Sequence, residues 1–144
     1  MRFMKTDRIF IDSNIWLYSF IKTPEVTKYE MAKHLIENNT NKISISTQVI
    51  NEVSYNLLRK NIFNENQILE LIKSFYEFCF IQNHNQNSLV LACKLREMYH
   101  FSFWDSVIVA SALELKCTTL FSEDMHHGLI IKKQLTIVNP FKLT

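Results

Sequence analysis

Only four of the 14 acidic residues in this chain are aspartates, Asp7, Asp12, Asp105 and Asp124, and the last three stand where a short carboxylate is hard to solvate. Asp12 ends the apolar run Ile9-Phe10-Ile11. Asp124 follows the run Thr118-Thr119-Leu120-Phe121-Ser122, and Asp105 opens the most apolar stretch of the chain, Trp104-Asp105-Ser106-Val107-Ile108-Val109-Ala110. A carboxylate at the end of a buried strand, or in the first turn of a buried helix, is poorly exposed to water. Several such groups brought together repel one another, and a divalent cation is the usual remedy. The pattern points first to a metal-dependent enzyme.

The elements that must position these acids alternate along the chain. Residues 8–12 read as a short buried strand and residues 14–21 as a short apolar helix. Pro24 suits the first turn of a second helix reaching Asn38, with Val26, Tyr29, Ala32, Leu35 and Ile36 at helical spacing. Residues 43–46 alternate as a strand does. Thr47 is the expected cap of a helix running to Lys60, with Val49, Ile50, Val53, Leu57 and Leu58 on one face. Asn64 and Gln67 form a capping-box pattern ahead of Ile68, Leu71, Ile72 and Phe75. Residues 78–81 are the next expected strand, and 87–100 a helix with Leu91, Leu95 and Met98 inward. Ser102, three residues before Asp105, opens a helix reaching Lys116. Residues 118–121 and 135–138 complete the strands, the last stopped by Pro140. Strands alternating with helices predict one α/β domain over residues 1–144, with a central, mainly parallel sheet and helices on both faces. The crevice of such a sheet lies at the carboxyl ends of its strands. Asp12 and Asp124 both fall there, so they can meet.

Composition narrows the alternatives. At 144 residues, 47% hydrophobic and 21% charged, the chain has the length and balance of one ordinary globular domain. No apolar run approaches the ~20 residues a membrane span needs. The first eight residues lack the apolar core of a secretory signal, which makes the cytoplasm the expected location. A single glycine, Gly128, excludes a Walker A loop and a dinucleotide fingerprint. Cys79, Cys93 and Cys117 are an odd number at wide spacing among apolar neighbours, which suggests buried reduced thiols rather than a zinc site or disulfides. The net charge of +2 neither demands nor excludes nucleic acid, which would need a local basic face.

Four segments carry a resemblance: Ile9-Phe10-Ile11-Asp12-Ser13-Asn14, Ser46-Thr47-Gln48-Val49-Ile50-Asn51-Glu52-Val53, residues 101–112 around Trp104-Asp105-Ser106, and Leu120-Phe121-Ser122-Glu123-Asp124-Met125-His126-His127-Gly128. In this order and spacing the chain resembles the PIN-domain nucleases over essentially its whole length, in particular the VapC-type toxins of bacterial toxin–antitoxin pairs. The resemblance implies a PIN-like domain whose acidic pocket is lined by Asp12, Glu52, Asp105 and Asp124, with Asn14 and Ser122 as polar, substrate-binding neighbours. It implies that the four carboxylates bind Mg²⁺ or Mn²⁺, one ion or two, and that the pocket hydrolyses RNA phosphodiesters. A cognate antitoxin covering the pocket and a homodimer are implied as well. Glu123 beside Asp124 is an ambiguity that the family pattern resolves in favour of Asp124. The chemistry is self-consistent: hard cations take oxygen ligands and keep several waters, so two or three carboxylates suffice.

Each acid also has a plain structural reading. Asp12 can cap the helix that follows it, Asp105 can close the Ser102 capping box, Glu52 can be a solvated helix position, and Asp124 can be a turn residue. Four separate explanations would then have to coincide at one pocket. His126 and His127 suit surface or substrate contact better than Mg²⁺, which prefers oxygen. Trp16, Tyr18, Phe20 and Trp104 could stack bases but read as core. Lys132-Lys133, Arg59-Lys60 and Lys94 with Arg96 are either phosphate contacts or solvated charges. Two other functions compete. A catalytically inert RNA-binding or scaffold module would keep the fold, but the presence of all four acids argues against it. A phosphate-transfer domain with a strand-end Asp-x-Asp needs a second Asp where Asn14 stands, and a receiver domain needs paired acids near the first strand and a strand-end Lys; neither pattern is present.

Overall fold

A three-residue run whose side chains are all buried, as in Ile9-Phe10-Ile11, belongs in the middle of a sheet covered on both faces. The computed structural model, which describes residues 7–142, places it there. The strands are β1 (Ile9–Ile11), β2 (Ile43–Ser46), β3 (Phe80–Gln82), β4 (Thr119–Phe121), β5 (Ile130–Ile131) and β6 (Leu135–Val138). The helices are α1 (Ser13–Phe20), α2 (Val26–Glu37), α3 (Thr47–Arg59), α4 (Glu65–Phe78), α5 (Gln86–Tyr99) and α6 (Phe103–Glu114). The sheet order is β3-β2-β1-β4-β6-β5, parallel throughout except for the β5–β6 pair.

The chain steps outward from β1 through β2 to β3, then crosses back to lay β4 on the other side of β1. Right-handed crossovers therefore send α1–α4 to one face of the sheet and α5–α6 to the other. The helix contacts agree: α1 packs on α2 and α3, α3 on α4, and α5 on α6. The direction of winding reverses between β1 and β4, and the crevice outside their carboxyl ends is where such sheets open. Phe10, Ile11, Ile45, Leu120 and Ile137 fill the sheet side of the core, met by Ile15, Val49, Val53, Leu57 and Leu95 from the helices. Every residue of α6 from Ser106 to Leu113 is buried, as befits a helix that is apolar all round.

Several expectations need correction. Ser46, not Thr47, caps α3; its Oγ accepts the Val49 N–H at 3.3 Å, because the last strand residue already has the extended backbone a cap requires. Pro24 lies before α2 rather than in its first turn. Phe78 ends α4 instead of opening a strand, and the Cys79 N–H still bonds to the Phe75 carbonyl. α5 starts at Gln86 behind the cap Asn85. Its inward stripe is Ser88, Ala92 and Leu95, which leaves Met98 off the stripe and 57% exposed. All three cysteines are free, but Cys93 is exposed and only Cys117 is fully buried. The hairpin of β5 and β6 was not expected. Lys132 and Lys133 adopt positive φ in its turn without the glycine that would flag it. No described helix is long and apolar enough to cross a membrane. The N-terminal segment read for a signal lies, for residues 1–6, outside the described residues.

Leu57 is fully buried on the face of α3 that seats this helix on the core. Leu57→Ala is expected to cost about 2–5 kcal/mol in urea unfolding. A loss below about 1 kcal/mol would show that α3 does not pack as described.

Candidate active site

The crevice is built by helices that begin where strands end. β1 passes into α1 with only Asp12 between them, and β2 runs straight into α3. Asp12 is buried at the β1–β4 seam, where its N–H donates to the Phe121 carbonyl at 3.0 Å. Its Oδ1 accepts the Ser13 N–H at 2.8 Å, and its Oδ2 accepts the Ser122 hydroxyl at 2.8 Å. The first bond is the helix cap anticipated as a structural role. The second ties Asp12 to β4, so one carboxylate serves both purposes.

The other acids gather around it. Glu52 stands on the second turn of α3, half-buried, accepting Ser13 Oγ–H at 3.3 Å and the Gln48 amide at 3.1 Å. Asp124 is exposed; its Oδ2 accepts the Asn14 amide at 3.0 Å, and its N–H donates to Ser122 Oγ at 3.4 Å. Asp105 sits in the first turn of α6, with its backbone N–H on the Ser102 hydroxyl at 3.2 Å. Asp105 and Asp124 line one hollow of about 470 Å³ together with His100, Met125 and His126. Glu52, Ser13, Asp12, Ser122, Asp124 and Asn14 thus form one continuous chain of hydrogen bonds.

The electrostatics express the same proximity. Burial first, and then the charges of Glu52 and Asp105, push the Asp12 carboxyl up to about 6 against the bonds from Ser122 and Ser13. Burial also raises Asp105; the Ser102 bond opposes this and the charge of Asp124 adds to it. The donor set is entirely oxygen and shares uncompensated negative charge, which suits a hard cation. Among the described residues no three acidic, histidine or cysteine side chains close on one point as a dehydrated ion requires.

Glu123 faces elsewhere. Its carboxylate accepts the Lys28 ammonium and, at 2.7 Å, the Tyr18 hydroxyl, while its N–H reaches Asn14 Oδ1 at 3.4 Å. Asp124 is thereby the neighbour turned toward Asp105. Of the other candidates, His127 accepts the Asn139 N–H at 2.9 Å, and His126 is exposed beside the acids. Trp16 is buried, with its indole N–H on the Ile11 carbonyl, as expected of a core aromatic. Trp104, also expected in the core, is 64% exposed. Arg96 is turned inward: it donates to Ser106 Oγ at 2.7 Å and lies 4.5 Å from the Phe103 ring, clasping the start of α6 to α5. Sequence reasoning missed Ser13 and Gln48 as supports of Glu52, although both lie within the motif segments. It also missed Lys28 and Tyr18; Lys28 is 95 residues from Glu123, and no local pattern could have linked them.

No curated protein matches the chain in sequence. Among solved structures, it is similar to a toxin–antitoxin complex from Klebsiella pneumoniae, with TM-score 0.69 and 20% identity, covering 92% of this chain and 97% of that one. It is also similar to the sarcin-ricin loop cleaving toxin VapC20 of Mycobacterium tuberculosis, with TM-score 0.65 and 16% identity, covering 81% and 91%. A third is DNA-bound VapBC from Salmonella typhimurium, with TM-score 0.65 and 13% identity, covering 91% and 96%. At these identities the likeness is one of fold. The family model of the PIN domain matches residues 9–128, which contain every acid of the crevice, and the chain belongs to the PIN domain family.

Proposed function

We propose that the protein is a Mg²⁺- or Mn²⁺-dependent endoribonuclease acting as the toxin of a toxin–antitoxin pair. The observation that carries this reading is the convergence of Asp12, Glu52, Asp105 and Asp124, from four separate segments, on the crevice where the sheet reverses its winding. These four carboxylates would hold one cation or two. When bound, the metal supplies an activated water and neutralises charge on the attacked phosphate and the leaving oxygen. The chain's own groups provide orientation. Ser13 and Ser122 fix the two oxygens of Asp12, Gln48 and Ser13 hold Glu52, and Asn14 restrains Asp124. Asn14 is also the proposed polar contact of the substrate, whereas Ser122, fully buried with its hydroxyl on Asp12, acts by fixing that carboxylate. The likeness to toxin–antitoxin complexes supports a cognate antitoxin as partner. The sarcin-ricin loop cleaving neighbour supports RNA as substrate. A homodimer and a cytoplasmic location complete the reading.

The purified protein is expected to cut single-stranded or looped RNA with Mg²⁺ or Mn²⁺ and to stop in excess EDTA. Asp12→Ala and Asp105→Ala should each lower the cleavage rate by about a hundredfold or more, with the fold intact by circular dichroism. Glu123→Ala should be mild. Cleavage that persists in EDTA sinks the metal-dependent reading, and a dead Glu123→Ala beside an active Asp124→Ala sinks the choice of Asp124.

A second test uses stability. The Asp12 carboxyl is raised from 3.8 to about 6 in the folded state, so its charged form is disfavoured there. The folded state then binds more protons than the unfolded chain between pH 4 and 6. Stability is retained below that window and lost as pH rises through it, by about 3 kcal/mol in full. Asp12→Asn keeps a competent helix cap and removes the charge. Without divalent metal it should unfold at higher urea than the wild type at pH 7, with the difference vanishing near pH 4. A difference independent of pH would sink this account of the carboxyl.

A further inference from the structure

Beside the acidic crevice lies a hollow of about 550 Å³, lined by Thr47, Gln48, Asn51, Glu52, His84 and Trp104. We propose that it is a nucleobase subsite, in which one unpaired base of an RNA strand stacks on Trp104. The proposal rests on the ribonuclease reading and says where that enzyme would hold its substrate.

Three observations carry it. Trp104 leaves 64% of its surface exposed, yet it is not loose: its ring meets Phe103 edge-on at 5.1 Å, and the Arg96 guanidinium sits 4.5 Å from the Phe103 ring. A braced, exposed indole at the edge of a polar hollow is a stacking platform, since every base offers a π-face. Next, polar side chains surround the indole: Thr47, Gln48, Asn51, Glu52 and His84 line the same hollow, and Gln48 is held there by its Nε2 donating to the Glu52 carboxylate. Finally, the lining places the hollow next to the chemistry. Trp104 precedes Asp105, and Gln48 lies one helical turn before Glu52. A base held here would belong to a nucleotide close to the cleaved phosphate. With amides, a hydroxyl, an imidazole, an indole and one carboxylate, the wall carries no lysine or arginine to hold a phosphate by charge and an aromatic face to hold a base.

The experiment measures binding of a fluorescently labelled hexaribonucleotide to the full chain in EDTA, intact and with an abasic residue at each position in turn. Wild type, Trp104→Ala and Trp104→Phe are compared, their folding checked by circular dichroism. One position should stand out, at which removing the base weakens wild-type binding about tenfold, within the range set by one base stacked on one aromatic ring. Trp104→Ala should show the same loss on the intact strand and no further loss when that base is absent, and Trp104→Phe should restore most of the affinity. Equal binding by wild type and Trp104→Ala overturns the proposal, as does an equal loss at every abasic strand. A coexpressed antitoxin that is retained by wild type and lost by Trp104→Ala, with RNA binding unchanged, assigns the hollow to protein and also overturns it. Wild type that cleaves RNA with Trp104 neutral refutes the subsite alone. Wild type that neither binds nor cleaves RNA refutes the ribonuclease reading and the subsite with it.

Discussion

Burying the Asp12 carboxylate at the end of β1 costs free energy in proportion to its charge, and the two hydrogen bonds from Ser13 and Ser122 recover only part of it. The neighbouring charges of Glu52 and Asp105 add to the cost. A fold optimised only for stability would place a neutral residue here. Keeping the acid requires that the rest of the crevice be rigid enough to hold a strained charge in one orientation. The pairing of β4 with both β1 and β6 does this, because the Asp12 N–H bonds to the Phe121 carbonyl and the Ser122 N–H to the Val138 carbonyl while their side chains bond to each other.

The helices answer the same constraint. α1, α3 and α6 all begin at the crevice, capped by Asp12, Ser46 and Ser102. Their amino termini carry partial positive charge, which favours carboxylates in or near the first turn. The structural and chemical readings of Asp12 and Asp105 are therefore not rivals. A helix start is a place where an acid is locally tolerated, and three helix starts brought together make a place where several acids can coexist. What remains uncompensated is visible in the raised carboxyls of Asp12 and Asp105.

The two neighbours Glu123 and Asp124 show how little separates a structural acid from a site acid. Lys28 and Tyr18 take up the charge of Glu123, while the Asn139 amide reaches its carbonyl at 3.3 Å and its own N–H meets Asn14. With that residue pinned, the next one turns the other way, and Asp124 meets Asn14 and shares a hollow with Asp105. The ion pair is local in space and remote in sequence, and it orients the strand-end loop.

Much of the fold was legible in the chain because its signals are short-range. Periods near two and 3.6 mark Ile43–Ser46 and the stripe of Val49, Val53 and Leu57; Asn64 with Gln67 and Ser102 with Asp105 mark helix starts; alternation of the elements implies a parallel sheet. That pattern also put Asp12 and Asp124 at strand ends, where they could meet. Other features had no such signal. The β5–β6 hairpin turns on two lysines with positive φ, and Met98 and Cys93 fall outside the stripe that α5 buries. Arg96 folds inward and Trp104 outward, against the usual habits of both residue types. By itself, then, the sequence determined which segments become strands and helices and which end of the sheet carries the acids, because backbone periodicity and capping act over a few residues. The tertiary structure alone decided which side chains face one another across the crevice, because that depends on packing between elements as far apart as Lys28 and Glu123.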